Sequence, residues 1–219
     1  MRAGRRAACL GLLAATLLVA CDALPAPTPS GCPTAAPTAG EATEILDGVT
    51  TAVVETSLGT FTLTLNPGAA PIASANFVAL AECGFYNGLT FHRVLSGFVI
   101  QAGDPNTRQS QDDFEGLGSS GPGYGFAIEL PPDGLNYDPY TVAMANTGEP
   151  DSNGSQFFIA LSDLNARLDR TYTIFGLVTE GREVVDAIGQ VEVTGVTGVP
   201  VDPVVIRSIE IPIAESTPS

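Results

Sequence analysis

Phe91-His92-Arg93-Val94-Leu95-Ser96-Gly97-Phe98-Val99-Ile100-Gln101-Ala102-Gly103-Asp104 sets one arginine and one glutamine among apolar and aromatic residues. Ser96-Gly97 punctuates it, so Phe91–Val94 and Phe98–Gln101 read as two short strands about a turn. Moving outward, Thr51–Thr56 and Thr60–Leu65 are β-branched and alternating, and Ser57-Leu58-Gly59 joins them as a hairpin. Pro71 opens a segment whose apolar residues Ile72, Phe77, Val78, Leu80 and Ala81 recur near helical spacing until Gly84 stops it. Further strands are predicted at Phe126–Glu129, Thr141–Met144, Phe157–Ala160, Thr173–Val178 and Val204–Ile211, with a second helix at Arg182–Ile188. Many short strands, two helices and no βαβ rhythm predict a mainly β fold. The expected form is a closed antiparallel barrel capped by two α-helices. No internal repeat and no second domain is visible.

Composition narrows the function. All nine basic residues of the 219-residue chain are Arg, against 24 acidic ones, for a net charge of −15. A surface this acidic repels phosphate, which argues against a nucleic-acid partner. The acidic stretch Gln111-Asp112-Asp113-Phe114-Glu115 lacks the alternating ligands and glycine of a calcium loop and reads as a solvated turn. No metal or cofactor is called for.

The first residues are of a different kind. Arg2, Arg5 and Arg6 precede an uncharged, Leu- and Ala-rich run from Ala7 to Ala20, a secretory leader too short to span a bilayer comfortably. It ends Leu18-Val19-Ala20-Cys21, which resembles the bacterial lipobox. That resemblance implies a leader over residues 1–20 and Cys21 as a lipidated mature N-terminus, extracytoplasmic and anchored to the cell membrane. Two or more acyl chains hold stably where one does not. Without the leader, six basic residues face 24 acidic ones, a net charge of −18. Residues 21–48 read as a Pro/Ala/Thr-rich linker without helical or strand period, leaving 49–213 as the domain and 214–219 as a tail. The cysteine spacings match no zinc or redox motif. Cys32 and Cys83 both survive processing in an oxidising compartment, and we expect them to pair and pin the linker to the end of the first helix.

Two further blocks accompany Phe91–Asp104. They are Met144-Ala145-Asn146 through Asn153-Gly154-Ser155-Gln156-Phe157-Phe158-Ile159, and Leu168-Asp169 followed by Thr173-Ile174-Phe175-Gly176. In that order the three resemble the signature segments of the cyclophilin-type peptidyl-prolyl cis-trans isomerases, from about Val53 to Ile211. The resemblance implies an eight-stranded barrel that isomerises X-Pro bonds, with Pro-containing segments as partners; the leader makes exported proteins the expected substrates, and we expect a monomer. It gives Arg93, Phe98 and Gln101 catalytic roles. Val99, Phe158 and Leu168 become the proline pocket with Phe98, Gln156 a polar wall, and Ala145 and Asn146 a backbone rail with Thr147 beside it. Tyr172 stands where the family often has His, and Arg167 where it often has Trp. The second departure removes an apolar wall and implies weak cyclosporin binding.

The residue types fit such a task independently. Twisting an amide crosses a barrier of about 18–20 kcal/mol and needs neither nucleophile nor proton transfer. It needs a dry seat for the pyrrolidine ring and a fixed cationic donor, and a guanidinium stays charged and forked. His92, the one histidine, is therefore read as structural. Two alternatives remain at this point: a module of the same fold that holds Pro-containing segments without turnover, and a lipoprotein that delivers a small ligand from a deep enclosed pocket.

Overall fold

The computed structural model describes residues 29–108 and 116–213. The leader, Cys21, the acidic stretch 111–115 and the tail 214–219 lie outside the described residues. No helix among the described residues is long and apolar enough to cross a membrane.

Strands β1 (Thr51–Thr56) and β2 (Gly59–Leu65) form the expected hairpin, with Thr56 opposite Gly59 and only Ser57-Leu58 between them. Helix α2 (Pro71–Glu82) starts at its proline, whose missing N–H costs nothing in the first turn. Strands β3 (Arg93–Leu95), β4 (Val99–Ala102), β5 (Thr141–Met144), β6 (Phe157–Ala160) and β7 (Ile174–Glu180) follow, then helix α3 (Arg182–Ile188) and β10 (Ile206–Glu210). These eight strands make one curled antiparallel sheet in the order β10-β1-β2-β7-β5-β6-β4-β3. The inner faces bury Val54, Phe61, Leu63, Val142, Phe157, Ile159 and Phe175 against α2. There the Phe77 ring meets Tyr86, Phe157 and Phe175 at 5.2, 5.6 and 5.2 Å.

Four expectations are corrected. The barrel is not closed by a strand ladder: β3 and β10 are the sheet's edges. The chain beside them bridges the gap only through Thr90 and Val205 and a few backbone hydrogen bonds such as Phe91 N–H to Val204 O, 3.0 Å. Phe126–Glu129 is no strand. Only Phe126 forms a bridge, to Asn153, and the next donors go to a loop carbonyl (Pro150) and a side chain (Thr173 Oγ1). A small separate sheet of β8 (Val193–Thr194) and β9 (Val199–Pro200) appears instead. Finally, there are three α-helices among the described residues rather than two, because α1 (Ala39–Ile45) folds within the stretch read as linker.

The cause of α1 is local and tertiary together. Thr38 and Glu41 form a reciprocal capping box: Glu41 N–H donates to Thr38 Oγ1 at 3.3 Å and Thr38 N–H to Glu41 Oε2 at 2.8 Å. A seven-residue helix is too short to persist alone. It rests on α2, most of whose circumference is thereby buried. The Cys32–Cys83 disulfide, Cα atoms 5.1 Å apart, ties the strap to the end of α2 as expected.

Glycine is required where backbones meet. Gly181 starts α3 at φ +70°, and a Cβ there would lie 2.3 Å from Thr60 O. Gly103, at φ +98°, would place one 2.3 Å from Ser155 O. A side chain at either position would push the sheet apart.

The disulfide spans 51 residues of chain, and a loop of that size can stabilise the fold by at most about 4 kcal/mol in the chain-entropy treatment. Reduction, or Cys32→Ser with Cys83→Ser, should lower the unfolding free energy towards that amount and release α1. Denaturant unfolding and amide exchange over residues 32–46 check this. Unchanged exchange there would mean that α1 docks without the bridge.

Candidate active site

Strand alternation separates two apolar surfaces. Along β6, Phe157 and Ile159 enter the main core, whereas Phe158 and Ala160 join a second cluster on the other face with Val99, Ala143, Leu164 and Ile174. Cross-strand register then lays a row across this outer face: Arg93 opposite Gln101, Gln101 opposite Phe158, Phe158 opposite Ala143, and Ala143 opposite Ile174. Phe98, Ala145, Leu168 and Tyr172 pack at its border, partly exposed. The Tyr172 ring meets Phe158 edge-on at 5.5 Å. Its backbone is fixed by Tyr137, whose buried hydroxyl accepts from Tyr172 N–H (3.1 Å) and donates to Tyr172 O (2.9 Å). The result is an apolar basin whose floor is Val99 and Phe158 and whose partly exposed border is Phe98, Leu168 and Tyr172.

A polar chain runs along one side of the basin. Arg93 Nη1 donates to Gln101 Oε1 at 3.3 Å, Gln101 Nε2 to Gln156 Oε1 at 3.0 Å, and Gln156 Nε2 to Ser120 O at 2.8 Å. The guanidinium also lies 5.9 Å from the centre of the Phe98 ring. It is thus held by a neutral amide and an aromatic ring, and among the described residues it has no carboxylate partner. Beyond Gln101 opens a second hollow of about 300 Å³, lined by Gln101, Ala145, Asn146, Thr147, Gln156 and the loop Gly118–Gly125.

Residues 51–211 match the family described as "Cyclophilin type peptidyl-prolyl cis-trans isomerase/CLD". The chain belongs to the cyclophilin family. The peptidyl-prolyl cis-trans isomerase A of Mycobacterium tuberculosis is 42% identical over 179 residues, covering 74% of this chain and 91% of that protein. Peptidyl-prolyl cis-trans isomerase B of Streptomyces anulatus is 42% identical over 175 residues, covering 72% and 94%. Among solved structures, a Cryptosporidium parvum cyclophilin superposes with a TM-score of 0.65 at 32% identity, over 78% of this chain and 99% of that one. A crystal structure of the same protein in the presence of the dipeptide Ala-Pro gives the same score.

In this cyclophilin the residues expected from sequence divide between two adjoining places. Arg93, Phe98, Val99, Phe158, Leu168 and Tyr172 surround the basin. Ala145, Asn146, Thr147 and Gln156 border the second hollow, and Gln101 belongs to both. Asn146 is braced by its own side chain, which donates to Thr171 O (3.0 Å) and accepts from Gly148 N–H (3.1 Å). Sequence reading missed the wall from Gly118 to Gly125, which has no periodicity to announce it. Its anchor was in view: buried Asp104, the last residue of the first block, accepts from the backbone N–H groups of Asn106, Gly118 and Ser120. Sequence reading also took Arg167 only as a lost wall. It stacks over Phe98 at 4.4 Å.

His92 is structural, as expected. It is 4% exposed, and neither ring nitrogen has a hydrogen-bond partner among the described residues. Burial, and then the Arg93 charge beside it, pull its imidazole from 6.5 down to about 4. The sign follows from linkage. Between about pH 6.5 and pH 4 the unfolded chain binds a proton that the fold refuses, so stability falls as pH falls, by about 3 kcal/mol at the lower end. Burial raises the Asp104 carboxyl, which opposes this in part. His92→Phe should flatten the loss of melting temperature between pH 7 and pH 4.5. An unchanged loss would assign the acid sensitivity to other groups.

Proposed function

We propose that this cyclophilin isomerises X-Pro bonds in exported proteins, as a lipid-anchored monomer outside the cytoplasmic membrane, with Arg93 as the catalytic donor. One observation carries the reading. The Arg93 guanidinium is oriented by Gln101 and by the Phe98 ring, uncancelled by any carboxylate among the described residues, at the edge of an apolar basin. The pyrrolidine ring sits on Phe98, Val99, Phe158 and Leu168, walled by Tyr172. As the amide twists it loses resonance and its nitrogen becomes pyramidal. A guanidinium at that position stabilises the twisted state more than the planar ones, which is what lowers a barrier. Gln101 fixes the direction of the donor, and Gln156 fixes Gln101. The residue before proline runs along Ala145, Asn146 and Thr147, above the second hollow. No proton is transferred and no covalent bond forms.

The test is catalysed exchange between cis and trans isomers of X-Pro peptides, followed by NMR without a coupling protease. Saturable acceleration supports the enzyme reading. Peptide binding without acceleration would make the protein a holding module and remove Arg93 from catalysis.

The anchor rests on Leu18-Val19-Ala20-Cys21 after the basic and apolar runs. Cys21→Ser should release the protein from the membrane fraction or leave its leader uncleaved. A cleaved, membrane-retained Cys21→Ser protein would contradict lipidation at this residue.

A further inference from the structure

Once the leader is removed, this acidic chain keeps six arginines. Four are engaged in holding the fold. Arg108 donates to the carbonyls of Phe85 and Asn87, and Arg170 to those of Pro131, Pro132 and Leu135. Arg182 donates to Val178 O and lies over the Tyr140 ring, while Arg207 pairs with Glu55 at 3.3 Å. The remaining two, Arg93 and Arg167, flank one ring. Their Cζ atoms are 5.9 and 4.4 Å from the Phe98 centroid, and neither has a carboxylate partner among the described residues.

Arg167 is exposed yet held. Its Nη1 donates to Gly97 O at 3.1 Å, in the turn that leads into Phe98. The Gly97 carbonyl and the Phe98 ring together hold the guanidinium beside Phe98 and reduce the rotamer freedom it has left to lose on binding.

We propose that Arg167 selects an acidic side chain immediately after the proline of the bound segment, leaving Arg93 to the prolyl amide. This rests on the isomerase reading above. On that reading the residue before proline lies on the Ala145–Thr147 side, which borders the hollow beyond Gln101. The chain leaving the prolyl carbonyl therefore passes from Arg93 towards Phe98, Gly97 and Arg167. In a protein otherwise acidic, this rim takes Pro-Glu and Pro-Asp segments, and Arg167 is the specificity residue.

The experiment compares kcat/KM by NMR exchange for matched peptides carrying Glu, Gln or Lys after proline. The wild-type order should be Glu above Gln above Lys. An exposed charge contact predicts roughly two- to fivefold between Glu and Gln, and salt should shrink that gap. Arg167→Gln should bring the Glu-to-Gln ratio close to one. Arg167→Lys, which keeps the charge but loses the planar stack, should retain part of it. Turnover of the Gln peptide reports on the fold of each variant. Equal wild-type rates for the three peptides, or a ratio untouched by Arg167→Gln, would overturn the proposal. No catalysis of any peptide would instead overturn the isomerase reading on which it rests.

Discussion

In the mechanism we propose, a cation is held still over an apolar surface without being neutralised, and on the outer face of this sheet Arg93 is held in that way. A carboxylate in place of Gln101 would orient the Arg93 guanidinium at least as firmly, because charge-assisted pairs are the strong ones. It would also cancel the charge that a twisted amide is to feel. Gln101 supplies orientation with no net charge, and the Phe98 ring adds a soft attraction from a second direction. Gln101 is steadied in turn by Gln156, and Gln156 by the Ser120 carbonyl, so the placement of Arg93 reaches back to a loop anchored on buried Asp104.

The sheet makes this possible through register. Arg93 and Gln101 on one hairpin and Phe158 much further along the chain stand in one cross-strand row, so a one-residue slip of β4 would turn Gln101 into the core and Ile100 towards the basin. Gly103 secures that register, since the close approach of Ser155 leaves no room for a side chain. The inner core and the outer basin are therefore consequences of one pattern of alternation.

Much of this is legible in the sequence, for identifiable reasons. The β1–β2 hairpin, α2 from its proline and α3 have strong local signals, and they stand where the residues predict. The candidate site residues were chosen because three blocks in order resemble a known family; no single residue of them would have sufficed. Burial alone could not assign faces, because β5 and β6 are buried on both sides and lose the polar alternation that usually marks a strand. Helix α1 was hidden although Thr38 and Glu41 carry its capping box, because surrounding prolines suggested extended chain and its stability comes from α2 and the disulfide. Phe126–Glu129 has strand-like composition, but its neighbour is a loop. The stacking of Arg167 on Phe98 joins two distant segments, and no local pattern reports such a pair.

The central claim is that Arg93 acts on the twisted amide and does little for the fold. Arg93→Ala, compared with wild type for catalysed exchange rate, peptide affinity and melting temperature, tests it most directly. Loss of one positioned donor should lower the rate on the order of 10²–10³-fold. Affinity should fall far less, because Phe98, Phe158 and Leu168 still seat the ring, and the melting temperature should hardly move. Wild-type turnover in Arg93→Ala would remove the guanidinium from the mechanism, and an unfolded variant would make Arg93 a structural residue.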